Sequence, residues 1–511
     1  MLHGDKKSKK SKKSSRGSKS TKSTKSTRSS KSFKGYQQVL EQFIKNRIVQ
    51  ELPFVANEGQ IELLDKLSRF ITSPTLRKAF ILRGYAGTGK TSIMAALVGA
   101  LKQLQQRVVL LAPTGRAAKV LSRYSHVSAY TIHKYIYRQK QLGEHTFTLN
   151  DNLHKHTLFI VDEASMISGV RDNSGFGSGM LLDDLVSYVY SGEGCSMLLL
   201  GDDAQLPPVG SSVSPALSAD YISGYGLNVC EHTLTEVARQ ALDSGILQNA
   251  SILRPFALGE DAASGSLKEV LWKKLVLRED VCTVSGAQLL EALEEAYNEV
   301  GAEETILLTR TNRRTNIYNQ GIRARLLWKE DEISSGDRLM IVKNNYFWTK
   351  EYENLPFLAN GDMVEIARLR NVREMYGCHF ADAQLKLLDY DWEIDAVLWL
   401  DTLQAESGDG NQTMQQDLFN KIAEDYPELQ HNRRKLIETI YESPYYNALQ
   451  VRFAYAITGH KSQGGQWQRV FIDPYKGGEE KVSSEDAKAY YRWLYTAITR
   501  ATKKVYFIKN E

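Results

Sequence analysis

AFILRGYAGTGKTSIMAALVGALKQL, residues 79–104, decides the fold. Residues 79–84 form a short apolar run of strand character, and residues 91–104 carry apolar side chains at helical spacing. Between them, Gly84-Tyr85-Ala86-Gly87-Thr88-Gly89-Lys90-Thr91 matches G-x-x-x-x-G-K-[ST]. A strand, a Gly-rich loop and a helix in that order make a phosphate cradle. The glycines let backbone amides turn inward onto phosphate oxygens, and the helix N-terminus adds the positive end of its dipole. Lys90 suits the β- and γ-phosphates, and the Thr91 hydroxyl suits Mg²⁺.

Further apolar runs extend the pattern: RVVLLAPT (107–114), TLFIVDEA (157–164) and CSMLLLGD (195–202), each followed by helical sequence. Runs apolar throughout are strands buried on both faces of a parallel sheet, and ligands bind at the loops after such strands. A second set follows in ETILLTRT (304–311), VRFAYAIT (451–458), RVFID (469–473) and KVYFIKN (504–510). The fold class is therefore α/β, with two parallel-sheet halves.

The run at 157–164 ends in Asp162-Glu163. Phosphoryl transfer needs one carboxylate on the metal and a group that orients water; Asp162 fits the first role and Glu163 the second. The run at 195–202 leads into Asp202-Asp203-Ala204-Gln205-Leu206-Pro207-Pro208, where Gln205 is placed to contact the γ-phosphate or to brace a rigid turn.

The order of these blocks resembles superfamily 1 helicases, most closely their RecD-like and Dda-like branch. The blocks are NEGQ, GYAGTGKT, LLAPTGRAAKVLS, TIHKYI, IVDEAS, LLLGDDAQLPPVG, LTEVARQ, LLTRTN, YAITGHKSQGGQW and YTAITRATKKVYF, spanning residues 57–508. The resemblance implies two RecA-like motor domains. Domain 1A would take residues 36–230, with a β-hairpin insertion at about 137–156. Domain 2A would take 231–335 plus 451–511. An SH3-like small β domain with a helical protrusion would fill 336–450, behind a disordered basic tail at 1–35.

It also implies an ATP hydrolase that moves 5′ to 3′ on single-stranded DNA and opens duplexes at single-strand/duplex junctions, with ATP and Mg²⁺ as cofactors. Gln60 would read adenine, although Asn57 and Gln60 equally fit a helix-capping box. Arg239 and Arg500 would reach the γ-phosphate from the second half; a guanidinium grips phosphate oxygens in bidentate fashion. Ala86 and Gly464 would complete the nucleotide site. Pro113, Thr114, Arg116, His133, Thr458, His460 and Lys461 would contact the DNA backbone, with both histidines open to a core role instead. In the hairpin, whose turn falls near Leu142-Gly143-Glu144, Phe147 is the base-stacking candidate at a strand-splitting pin. Tyr346, Phe347 and Trp348 are either base-stacking or core aromatics.

Composition sets bounds on these readings. The chain has 511 residues, 42% hydrophobic, with four cysteines and a net charge of +5. No apolar run reaches the ~20 residues of a membrane helix. The cysteines lack CxxC spacing, so reduced thiols in a cytoplasmic monomer are expected. Of the charge, +12 lies in the first 34 residues, leaving −7 on the rest. That Lys/Ser-rich arm cannot build a core and equally suits non-specific nucleic-acid contact or a solubilising, dispensable extension. The charged helical stretch 411–444 is open as a site for a protein partner or as a protrusion that grips duplex. The rivals on the same residues are an RNA helicase, a ring ATPase with its arginine supplied in trans, and a nucleic-acid scaffold with a dead nucleotide site.

Overall fold

The structure, a computed structural model, describes residues 24–509 apart from 140–146, 172–175, 238–242, 261–266, 353–354, 356, 391, 406–407 and 476–482. Arg239, the turn at 142–144 and residues 1–23 of the tail thus lie outside the described residues. The first helix is Thr24–Glu51, so helical backbone begins within the stretch expected to be disordered.

The first half is a six-stranded parallel sheet. Its strands are β1 (Lys78–Gly84), β2 (Val108–Ala112), β3 (Ala129–Thr131), β6 (Leu158–Val161), β7 (Ser196–Gly201) and β8 (Asn228–Leu234), in the order β3-β2-β6-β7-β1-β8. The inserted hairpin supplies β4 (Tyr137–Gln139) and β5 (Phe147–Leu149), paired antiparallel. The second half is a five-stranded parallel sheet of β9 (Val281–Ser285), β10 (Thr305–Thr309), β16 (Ala456–Thr458), β17 (Trp467–Ile472) and β18 (Ala501–Lys509), ordered β16-β10-β17-β18-β9. Both halves have the expected α/β architecture.

Between β10 and β16 the chain builds a closed five-stranded barrel. It comprises β11 (Arg338–Ile341), β12 (Met363–Met375), β13 (Cys378–Leu387), β14 (Glu393–Trp399) and β15 (Leu449–Phe453). The expected single strand at 451–458 is two: its first part closes the barrel and its second enters the motor sheet, with Ala454 and Tyr455 between them. Apolar side chains run through both pieces, so sequence alone could not mark the handover.

One core joins barrel to second half: Leu339, Val364, Leu385 and Val451 pack with Leu307, Ile322, Phe471 and Tyr506. The charged stretch beyond β14 folds as helices Gly408–Glu424 and Arg433–Tyr441. Leu418, Ile422 and Ile440 anchor them on Phe380, Val397 and Trp399 of the barrel. Each such fully buried side chain is worth about 1.5–3 kcal/mol.

Candidate nucleotide cleft and strand track

The helix Lys90–Gln103 starts on Gly89, whose φ of +85° favours glycine and whose lack of a side chain leaves no cap. The first amides of this helix are thus left without a side-chain acceptor. In contrast, the helix Glu58–Thr72 is capped fully: Asn57 Oδ1 accepts from the Gln60 amide at 2.8 Å, and Gln60 Oε1 accepts from the Asn57 amide at 3.0 Å. Gln60 Nε2 then donates to the Thr88 carbonyl at 3.0 Å. With both ends of its amide used and its side chain buried, Gln60 braces the phosphate loop. The capping box that the sequence offered for Asn57 and Gln60 is therefore present. Phe54, which sequence reasoning passed over, lies at the cleft wall beside Gly89.

A cleft of about 500 Å³ opens beside the loop and gathers Lys90, Thr91, Asp162, Glu163, Gln205 and Arg500. Ala86, Gly87, Gly89 and Gly464 also line it, whereas Gly84 and Thr88 hold the loop's shape from behind. Lys90 Nζ donates to the carbonyls of Gly84 and, at 3.0 Å, Tyr85. Thr88 Oγ1 donates to the Tyr85 carbonyl at 2.8 Å.

Asp162 is half-buried, and its carboxyl is pushed up to about 6, by desolvation first and by neighbouring Glu163 second. A cation beside such a carboxyl favours its charged form. Gln205 Oε1 is buried and has no hydrogen-bond partner among the described residues. A phosphorylated nucleotide with Mg²⁺ therefore fits the residues present.

From the second half, Arg500 enters the cleft with its guanidinium 3.8 Å from Glu163. Its Nε donates to the Thr496 carbonyl and its Nη1 to the Gly465 carbonyl, so it is aimed by the helix Ser484–Ile498 and by the loop after β16. That helix crosses to the first half: Thr496 Oγ1 accepts from the Leu206 amide at 2.9 Å. Gln463 Nε2 donates to the Leu206 carbonyl at 2.6 Å. The core follows the same line, since Tyr85, Ala204 and Leu206 pack within the cluster of the second half.

Gly464 joins cleft to track. Its φ is +73°, and a Cβ there would meet Ala117 Cβ at 2.8 Å and Thr114 Oγ1 at 2.9 Å, so only glycine allows the two halves to approach. Thr114 caps the helix Gly115–Ser125 through the Ala117 amide, with Pro113 just before it, half-buried. Arg116 departs from expectation: it stacks 3.9 Å over the Trp467 ring and donates to the Gln466 carbonyl at 3.2 Å. It joins the two halves.

His133 packs 4.9 Å from Phe176 and 5.9 Å from Tyr137, the core role left open above. Phe147 is 5% exposed and stacked on Phe176 at 4.7 Å, with Tyr346 at 4.8 Å. It is therefore a core residue at the start of β5, against its reading as a base-stacking candidate. Trp348 is likewise held in the protein, its indole N–H donating to the Asn447 carbonyl. Thr458 ends β16 at half exposure, and His460 stands beyond it at the surface. Lys461 Nζ donates to Asn360 of the barrel.

With this geometry established, comparison with known proteins is informative. The AAA domain family matches residues 56–260, and the UvrD-like helicase C-terminal domain matches residues 453–508. An uncharacterized protein of Acanthamoeba polyphaga mimivirus is 25% identical over 88% of this chain and 99% of its own length. The ATP-dependent DNA helicase dda of Enterobacteria phage T4 is 22% identical, over 84% of this chain and 93% of that protein. The ATP-dependent RecD2 DNA helicase of Deinococcus radiodurans is 30% identical over 38% of this chain, which spans 23% of that protein. An AAA-type half and a UvrD-like helicase half thus meet across the cleft, and the chain belongs to the superfamily 1 helicases of the RecD and Dda type.

Proposed function

We propose that this chain is an ATP-dependent DNA helicase that moves 5′ to 3′ along single-stranded DNA and opens duplexes at junctions. The observation that carries this reading is the meeting of Lys90, Asp162, Glu163 and Gln205 from one half with Arg500 from the other in one cleft.

In that reading Lys90 transfers its donors from the loop carbonyls to the β- and γ-phosphates. Thr91 and Asp162 hold Mg²⁺, which neutralises charge on the phosphate oxygens. Glu163 orients the attacking water. Gln205, whose Oε1 has no partner among the described residues, reports the state of the γ-phosphate. Arg500 stabilises transition-state charge only when the halves are closed, which couples hydrolysis to motion.

Arg239 is proposed as a second arginine of the same kind. Val237, two residues before it, lies against the phosphate loop, 3.3 Å from where a Cβ of Gly87 would stand. Pro113, Thr114, Thr458 and His460 are proposed contacts to the DNA backbone. The helices at 408–441 and the basic arm are proposed further contact surfaces, for protein and nucleic acid respectively. A monomer in the cytoplasm fits four free cysteines and two arginine-bearing blocks in one chain. No helix among the described residues is long and apolar enough to cross a membrane.

Duplexes carrying a 5′ or a 3′ single-stranded overhang, with ATP present, test the reading. Unwinding is expected from the 5′ overhang. Unwinding only from the 3′ overhang overturns the polarity, and ATPase stimulated by poly-U but not by poly-dT overturns the DNA assignment.

A further inference from the structure

Tyr495 sits one turn before Arg500 on the second half, yet its hydroxyl lies in the first. It accepts from the Ala86 amide of the phosphate loop at 2.9 Å. It donates to Asp202 Oδ2, at the end of β7, at 2.8 Å. The ring is 1% exposed and packs in the core cluster that spans the halves. The other Asp202 oxygen accepts from the Ala204 amide at 3.0 Å. One hydroxyl from the second half thus ties together two points of the first: the first limb of the phosphate loop and the carboxylate that begins the Gln205 turn.

We infer that Tyr495 is a positioning residue for hydrolysis, setting the phosphate loop and the Gln205 turn in register only when the halves are closed. This deepens the ATP-motor reading and rests on it. The Ala86 amide is committed to this hydroxyl, while Gly87, Gly89, Lys90 and Thr91 line the cleft beside it. Asp202 is buried, so loss of Tyr495 removes a donor from a carboxylate that water does not reach. The groups facing Asp202 are Lys90, Asp203, Tyr85 and Tyr495. Only Tyr495 comes from the second half. Because Tyr495 and Arg500 share one helix end, closure delivers the arginine and the register together.

The test is a double-mutant cycle on the full chain with Tyr495→Phe and Asp202→Asn. ATP turnover is measured at saturating poly-dT, with KM for ATP, DNA affinity and thermal midpoint alongside. Tyr495→Phe keeps the ring and loses only the hydroxyl. The expected result is a fall in kcat of about tenfold, the scale of one lost hydrogen bond to a charged group. KM, DNA affinity and midpoint should change less than about twofold or a few degrees.

Asp202→Asn should lower kcat similarly, and the double variant should be no worse than either single one, since both cut the same link. Wild-type kcat in Tyr495→Phe, or losses that multiply in the double variant, overturns the inference. Lys90→Ala serves as the separate control. If it hydrolyses ATP normally, the motor reading itself fails. If it is inactive while Tyr495→Phe is normal, only the Tyr495 inference fails.

Discussion

The nucleotide cleft and the strand track treat their charges in opposite ways. In the cleft, Lys90, Asp162, Glu163 and Arg500 converge from two halves, and Gln205 keeps an acceptor unused. Along the track, the cations of the first half are already engaged. Arg116 lies over Trp467, and Lys119 donates to the Leu388 carbonyl. Lys134 sits 3.8 Å above the Tyr390 ring, near Asp362 and Asp389. The cleft gathers charged groups from both halves, whereas the cations beside the proposed strand track are engaged by the second half and the barrel.

The largest effect expected from this contrast is at Lys90. Lys90→Ala removes the ammonium aimed at the phosphates, and ATP turnover should fall by about 10²–10³-fold. Affinity for single-stranded DNA should move less than about twofold, because no track contact passes through Lys90. A filter-binding or anisotropy measurement beside the ATPase assay checks this. Equal losses in both would erase the distinction between cleft and track.

Glu163→Gln probes the same side of the comparison more gently. The amide keeps the shape and loses the base, so turnover should fall by about 10²-fold while nucleotide still binds. Fluorescent-nucleotide titration separates the two. Lost binding would move Glu163 from orienting water to holding the metal.

Arg116→Ala tests the other side. If Arg116 joins the halves, its loss should lower unfolding free energy by about 1–3 kcal/mol through the stacked ring and the Gln466 carbonyl. Denaturant titration measures it. Unchanged stability with weakened DNA binding would restore the DNA-contact role expected from its sequence block.

The same contrast explains what could be read in advance. The cleft was legible because its chemistry is local: GYAGTGKT builds a loop by itself, and FIVDEAS puts two acids at one strand end. The α/β alternation followed from apolar runs buried on both faces. Roles that depend on who sits opposite were not legible. Gln60 was weighed as a base reader and is used up between Asn57 and Thr88. Phe147 was read as a base-stacking candidate of the hairpin, yet its neighbours Phe176, Tyr346 and Phe357 come from two other segments. Tyr495 lay within a recognised block, but its partners Ala86 and Asp202 are set by how the halves close. The handover at Ala454-Tyr455 between barrel and sheet leaves no mark in hydrophobicity at all.

The smallest effect concerns the barrel beside the proposed strand track. Asp362 sits under the barrel, accepts from the Ala359 amide at 2.8 Å and faces Lys134. Burial pushes its carboxyl up to about 6, more than Lys134 lowers it, with Asp389 adding repulsion. An unfolded aspartate titrates near 4, about two pH units lower. Below pH 4 both states hold the proton and the group has no effect. Between 4 and 6 the unfolded chain releases its proton first, so stability falls as pH rises. Above 6 the penalty is complete, on the order of 1–3 kcal/mol. Asn at 362 carries no such proton, while Asp162 and Asp202 titrate in both proteins and cancel in the difference. Asp362→Asn should therefore gain stability relative to wild type by that amount between pH 4 and pH 7, read from paired denaturation curves. Parallel curves would mean that Lys134 fully offsets the burial of Asp362. A gap that opens with pH means that Asp362 is held beneath the barrel, facing Lys134, against an electrostatic cost at neutral pH.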